Sequence, residues 1–207
     1  MDNRFSIGLM ALSLGLAHQS FAASRLEKIR NAKVVVTEET LAPGERETAP
    51  QKLPSLIIFM TDGAETEGKD TQRVAKGQVE SRPAGATPTK NDGSRPLHFI
   101  RIEFLTHGND EKWGMAGLAN TYKVLHEDPY ARTYDIRIPA GAYEPQHTHH
   151  DRVVVCLSGA ELEHILPDGT HQPSTLKTGE IAWRLGATHV GHNLGTTDLW
   201  VIAVEPK

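Results

Sequence analysis

Residues Gly141 to Gly159 read GAYEPQHTHHDRVVVCLSG, a polar turn followed at once by an apolar, β-branched run. That run predicts a buried β-strand, closed by Ser-Gly. Alternate side chains of a strand face the same way, so His147 and His149 are expected to project together. Two imidazoles on one face can bind one ion, which suits iron, zinc, manganese or nickel. The stretch therefore predicts a strand and a candidate metal site, although His-x-His pairs are common without a metal.

The chain contains two copies of one pattern. NDGSRPLHFIRIE, from Asn91 to Glu103, matches NLGTTDLWVIAVE, from Asn193 to Glu205, in its Asn, Gly, Leu, Ile and final Glu. Two more pairs of blocks follow in the same order: 76–87 on 178–189, and 41–65 on 138–161 with one extra residue in the first copy. Three matching blocks in one order indicate an internal duplication.

Each copy reads as a series of short strands separated by Gly and Pro, as in LPDGTH at 166–171, which is a hairpin signal. Strands at this spacing predict a sandwich or a barrel, and no long amphipathic helices separate them as a parallel α/β fold requires. The prediction is an all-β protein in which a small sandwich or barrel occurs twice in tandem. The first domain spans 23–105 and the second spans 130–207. Residues 106–129 are predicted to be a linker with room for a short helix.

The first 22 residues have the pattern of a secretory signal peptide. Arg4 precedes an apolar run, and Ser20 and Ala22 occupy the −3 and −1 positions of a cleavage site after Ala22. The run is too short to span a bilayer, and a buried N-terminal helix is the alternative interpretation. Cleavage predicts a periplasmic or secreted protein without membrane contact after processing.

The composition of the chain limits the classes of molecule that it is expected to bind and the covalent bonds that can stabilise it. The formal net charge is −4 and basic residues are not clustered, which argues against nucleic acid. Cys156 is the only cysteine, so no intramolecular disulfide can form. Stability must come from packing, or from packing and a bound metal.

A third histidine strengthens the metal hypothesis. GEIAWRLGATHVGHN, residues 179–193, places His189 on a later strand, just after a turn that contains Gly186. With Gly141, the His147-x-His149 pair, Gly159, Gly179 and Asn193, this arrangement resembles the two motifs of the cupin family. The second motif is one residue short, and Leu185 stands where proline is usual. The resemblance implies two double-stranded β-helix (jelly-roll) barrels, a bicupin, whose second barrel binds a divalent metal through His147, His149 and His189.

One departure from the cupin pattern concerns the ligands. The position of the family's glutamate falls on Arg152, and arginine is always charged and cannot ligate a metal. A site of three histidines is the first expectation. Three histidines with Asp151, which strict alternation puts on the same face, is the second, and Glu144 is a more distant candidate. His150 and His192 are expected to be neighbours rather than ligands.

The first copy lacks these ligands. The alignment puts Gln51, Leu53, Leu56 and Thr87 at the places of His147, His149, Arg152 and His189. Packing requires the glycines and apolar strands that both copies keep, whereas only one copy has the histidines. The first copy is then expected to be scaffold, or a binding cup for an apolar group.

Three functions remain open. The first is a metal-dependent enzyme: iron would favour dioxygenase chemistry on a small organic acid, and zinc, manganese or nickel would favour an isomerase, lyase or hydrolytic reaction. Arg152 would then hold an anionic ligand and Tyr143 would donate a phenol proton. The alternatives are that Arg152 forms an ion pair with Asp151 or Glu144 and that Tyr143 only packs in its turn. The second is a non-catalytic module that binds a metal or small ligand, and the third is a structural barrel. Because the two barrels could pack face to face, the chain is expected to be a monomer or a homodimer.

Overall fold

The computed structural model describes residues 24–48, 50–108 and 120–207. These residues form strands and turns without an α-helix, which confirms the all-β prediction. The predicted signal peptide and its cleavage after Ala22 lie outside the described residues. Within the described ranges no helix is long and apolar enough to cross a membrane.

The described strands fall into two sets with matching order along the chain. The first set is β1 (Ser24–Arg30), β2 (Val34–Leu41), β3 (Ser55–Phe59), β4 (Gly63–Glu67), β5 (Asp70–Val74), β6 (Val79–Arg82), β7 (Lys90–Asn91) and β8 (Leu97–Phe104). The second is β9 (Tyr122–Glu127), β10 (Ala131–Ile138), β11 (His147–His149), β12 (Arg152–Ser158), β13 (Ala160–Ile165), β14 (His171–Leu176), β15 (Ile181–Arg184), β16 (Ala187–Asn193) and β17 (Leu199–Pro206).

Each set forms one five-stranded sheet and one smaller sheet. The larger sheets have the orders β1-β2-β8-β3-β6 and β9-β10-β17-β12-β15, so the same strand positions recur in both. The smaller sheets are β5-β4-β7 and β11-β16-β13-β14. All of the pairings are antiparallel, as expected for two copies of one barrel.

A repeated asparagine shows why both copies fold alike. The Asn91 amide donates a 2.9 Å hydrogen bond to the carbonyl of Leu41, at the end of β2. Asn193 donates an equal bond to the carbonyl of Ile138, at the end of β10. Each asparagine is buried. Each bond therefore joins the turn before the last strand of its copy to the end of the copy's second strand and satisfies a buried polar group.

The second barrel starts earlier than the sequence predicts. Residues Tyr122–Glu127 lie in the predicted linker, but they form β9 and pair with β10 as β1 pairs with β2. The burial of β9 does not alternate along the strand, because it lies at the edge of its sheet. An edge strand of this kind carries little hydrophobic periodicity, and its pairing with β10 defines it.

The two five-stranded sheets pack face to face and share one hydrophobic core. Eight buried residues come from the first barrel: Val34, Val36, Leu56, Ile58, Met60, Ile100, Ile102 and Phe104. Six come from the second: Ala131, Val153, Val155, Leu157, Ile202 and Val204. The opposite side of the second large sheet faces the interior of its own barrel, where the histidines lie.

Candidate metal centre

The three predicted ligands converge inside the second barrel. His147 and His149 lie on β11, which pairs antiparallel with β16, and the register places His189 directly opposite His147. All three are buried, and one ring nitrogen from each lies within 4.8 Å of the others. The Nε2 atoms of His147 and His149 are 2.9 Å apart. Two nitrogen ligands of one ion lie about 3.0 to 3.4 Å apart when each bond is about 2.1 Å, so this spacing suits a shared ion.

The environment keeps these imidazoles neutral, which is the form that binds metals. Burial lowers the pKa of His149 to about 2 and that of His189 to about 3, and it also lowers the pKa of His147. Nδ1 of His147 lies 2.8 Å from the carbonyl of Pro145, to which it can donate only when protonated. That bond leaves Nε2 with a free lone pair facing its neighbours. The donor set therefore fits a divalent transition metal.

A buried carboxylate lies behind one ligand. Oε1 of Glu205 is 3.6 Å from Nδ1 of His149 and accepts a 3.2 Å hydrogen bond from the backbone N–H of His150. The separation of 3.6 Å is too long for a hydrogen bond, and Nδ1 of His149 has no hydrogen-bond partner among the described residues, so Glu205 lies near the ring without being bonded to it. The sequence indicated Glu205 only as the last residue of a repeated strand. Its position near the site follows from the register of β17 beside β12.

Tyr122 is the site residue that sequence reasoning missed. Its phenol oxygen lies 3.2 Å from Nε2 of His149 and 3.4 Å from Nε2 of His147. Burial raises the pKa of this phenol well above 10, so the hydroxyl stays protonated and can donate a hydrogen bond. The residue lies on β9, in the predicted linker, and only the pairing of β9 with β10 brings it to the histidines.

Arg152 lies beside the cluster and is 9% exposed. Its Nη1 is 3.4 Å from the carbonyl of His150 and 3.3 Å from that of Leu185. No carboxylate among the described residues forms an ion pair with it, so the expected alternative of a bridge to Asp151 or Glu144 is not formed. Arg152 lines an open cleft of about 320 Å³ together with His164, Arg184 and His189, among others. It is a buried cation available to an anionic ligand.

Asp151 does not join the three histidines. Its Oδ1 accepts a 2.7 Å hydrogen bond from the backbone N–H of Gly186 and caps a turn. The prediction assumed strict strand alternation, but β11 ends at His149 and β12 begins at Arg152. The turn between them breaks the alternation and points Asp151 elsewhere.

Tyr143 also lies away from the ligand rings. It is 61% exposed and stacks on His192, with ring centroids 3.6 Å apart and planes inclined by 14°. This is the packing alternative rather than a proton donor at the metal. Glu144, beside it in the sequence, is buried and lines the cavity beneath the histidines.

The register corrects the alignment of the first copy by one residue. Ser55 pairs with Arg82 as Arg152 pairs with Arg184, so Ser55, and not Leu56, is the counterpart of Arg152. Gln51, the predicted counterpart of His147, is buried and its amide donates a 2.9 Å hydrogen bond to Oε1 of Glu47, and Leu53, the predicted counterpart of His149, is apolar. Neither residue is a metal ligand there, so the conclusion that the first barrel lacks the site stands.

No protein-family model and no curated protein sequence matches the chain. Solved structures do match its fold. A cupin 2 conserved barrel domain protein from Leptotrichia buccalis is 15% identical, with a TM-score of 0.62 over 93% of this chain and 92% of that one. AerE from Microcystis aeruginosa is 12% identical, with a TM-score of 0.64 over 89% and 97%. The oxalate decarboxylase of Bacillus subtilis, in a structure at pH 4.6, is 12% identical, with a TM-score of 0.58 over 84% and 68%.

These similarities, together with the two matching sets of strands, define the class. The chain has the cupin fold, as the sequence motifs indicated, and it carries that fold twice in tandem. It is a bicupin in architecture, with a cluster of three histidines in the second barrel only, among the residues that the structure describes.

Proposed function

We propose that the second barrel binds one divalent transition metal through His147, His149 and His189, and that the chain is a metal-dependent enzyme acting on a small organic acid. The observation that carries this proposal is the convergence of three buried, neutral imidazoles on one point. Three protein ligands leave coordination positions open, and an ion bound there would supply Lewis acidity and a place for substrate or water.

The residues around the cluster support an anionic substrate. Arg152 presents a guanidinium without a carboxylate partner, and a guanidinium binds a carboxylate with two parallel hydrogen bonds. Arg184 and His164 line the same cleft, so the entrance carries further positive and polar groups. Tyr122 can donate a hydrogen bond to an oxygen held between the histidines. Apolar walls from Val154, Leu176 and others keep water from surrounding the bound molecule.

The metal and the reaction are finer parts of the proposal. Iron would favour a dioxygenase-like reaction. Manganese is a second candidate because an oxalate decarboxylase from Bacillus subtilis, which shares the fold, is described with Mn(II) centres. Export to the periplasm or outside the cell is proposed from the signal-like residues 1–22 alone.

The test is metal analysis of untagged protein by inductively coupled plasma mass spectrometry. We expect about one equivalent of a transition metal per chain, and its loss in the double variant His147→Ala/His189→Ala. His171→Ala/His192→Ala is the matched control, because it also removes two histidines of the second barrel but leaves the cluster intact. If neither wild type nor control takes up metal after reloading under reducing conditions, the proposal is wrong.

A non-catalytic binding module is the second candidate. Two features favour it: an arginine stands at the family's glutamate position, and the first barrel has no metal-ligating residues at the places of the three histidines. A panel of small organic acids, tested for turnover with the metal that the protein binds, separates the two. Tight binding without any chemical change across that panel would support the module.

A further inference from the structure

A small cavity lies beneath the histidine cluster. It measures about 60 Å³ and is lined in part by Tyr122, Glu144, His149 and Arg152. Glu144 is only 3% exposed, and its Oε1 has no hydrogen-bond partner among the described residues. Gly191 makes room for this carboxyl, since a Cβ there would stand 2.7 Å from Oε2. The cavity shares Arg152 and His189 with the open cleft, so the two spaces adjoin.

The first barrel has a glutamate at the same position. The backbone N–H of Glu47 donates to the carbonyl of Thr89, and that of Glu144 donates to the carbonyl of Gly191, at equivalent places in the two copies. Glu47, however, has a cation: Nη2 of Arg101 lies 2.6 Å from its Oε1. Its Oε2 accepts a 2.7 Å bond from the backbone N–H of Thr89. Both oxygens of Glu47 are therefore occupied.

The guanidinium of Arg101 is buried inside the first barrel. Arg101 is 1% exposed and, besides Glu47, contacts Oε1 of Glu39 and Oγ of Ser55, each at 3.3 Å. Its own counterpart in the second barrel is Ala203, because Arg101 pairs with Thr37 as Ala203 pairs with Tyr134. The second barrel therefore lacks this cation.

The three partners of Arg101 map onto the wall of the cavity. Their counterparts by strand register and by the Glu47–Thr89 contact are Ile136, Glu144 and Arg152, and all three line it. The space that a guanidinium fills in the first barrel is thus open in the second. Of the two glutamates that hold the guanidinium, the second barrel retains one.

A buried carboxyl without an ion-pair partner is costly, and the cost falls when a positively charged donor enters. Burial raises the pKa of Glu144 to about 7, even though Thr121 and the more distant charge of Arg152 act to lower it. We infer that this cavity is a subsite for an ammonium group of the ligand, which Glu144 accepts while Arg152 binds the ligand's carboxylate. The ligand is then a small molecule carrying both an amino group and a carboxylate. The binding of the ligand's carboxylate by Arg152 depends on the proposed function. The binding of the ammonium group depends only on Glu144.

Matched ligands test the subsite. Aspartate and succinate share a carbon skeleton and differ by one ammonium group. Isothermal titration of the zinc-reconstituted protein should show aspartate binding about 10- to 100-fold more tightly, as hydrogen bonds to charged groups allow. Equal affinity for the two, or tighter binding of succinate, would overturn the inference.

A preference for aspartate could also arise if its amine bound the metal ion directly. The variant Glu144→Gln distinguishes this explanation from binding of the ammonium group by Glu144. We expect the variant to keep its zinc and lose the preference for aspartate. A preference that survives in the variant would show that another group holds the ammonium. Glu47→Gln is the control in the first barrel and should leave the preference unchanged. Zinc analysis of the same samples and a repeat of the titration without metal distinguish failure of the subsite from failure of the proposed metal site.

Discussion

Replacing Glu144 by glutamine should alter how the stability of the metal-free protein depends on pH. Burial raises the pKa of this carboxyl from 4.5 to about 7. Below pH 4.5 the carboxyl is protonated in both folded and unfolded chains, so it costs nothing. As the pH rises from 4.5 to 7 the unfolded chain ionises first, and the folded state loses stability. A difference of about 2.5 pKa units at 1.36 kcal/mol each gives a cost of about 3 kcal/mol above pH 7.

Glutamine cannot ionise, so the variant should not show this loss. We expect the free energies of unfolding of the variant and the wild type to be similar at pH 4, and the variant to be about 3 kcal/mol more stable at pH 8. Urea unfolding at a series of pH values, with a chelator present, measures the difference. The histidines, whose lowered pKa values act in the opposite direction, are common to both proteins and cancel. A stability difference that stays constant from pH 4 to pH 8 would refute the reasoning.

Four other substitutions probe the rest of the molecule. Arg101→Met leaves buried Glu47 without its cation and Glu39 with only Arg25 at 3.6 Å, and it should lower the free energy of unfolding by about 3 to 5 kcal/mol, measured by urea denaturation. Tyr122→Phe should keep the metal content of the wild type but change the visible spectrum of the cobalt(II)-substituted protein, because the phenol oxygen lies beside the ligand nitrogens. Gly77→Ala should destabilise the protein by about 3 kcal/mol or more, since φ is +82° and a Cβ would stand 2.3 Å from the Trp200 ring of the other barrel. Gly85→Ala, with φ +80° and nothing within 4 Å, should cost only about 1 to 2 kcal/mol.

Each of these predictions has an outcome that contradicts it. Wild-type stability in the Arg101 variant would show that the buried charges are compensated in another way. Loss of metal from the Tyr122 variant would make that tyrosine a requirement for binding, and an unchanged cobalt spectrum would place it away from the ion. Equal losses for the two glycine variants would mean that the contact between Gly77 and Trp200 contributes nothing.

The fold could be predicted from the sequence because the same pattern of strands and turns occurs twice along the chain. Apolar, β-branched runs such as LIIFM and VVVCL mark the central strands, and the spacing between the two copies repeats. The three histidines could also be predicted, because His147 and His149 share a strand face and the turn with Gly186 returns the chain to place His189 opposite them.

The remaining site residues could not be found in this way. Tyr122 lies on an edge strand whose pattern carries no clear periodicity, so nothing in its neighbourhood marks a strand. Asp151 was misplaced because a turn interrupts the alternation. The one-residue error in the first copy arose because Glu65 and Glu161 are identical letters, whereas the pairing of Glu65 with Asn91 makes Leu162 its counterpart.

The core that the two large sheets share couples the unfolding of the two barrels. Neither barrel can open its large sheet without exposing apolar residues of the other, so the chain should unfold as a single cooperative unit. A ligand that binds only the native state raises the free energy of that whole unit. A metal held by three histidines of one barrel would therefore protect the backbone amides of both from hydrogen exchange, including those of the barrel that binds nothing.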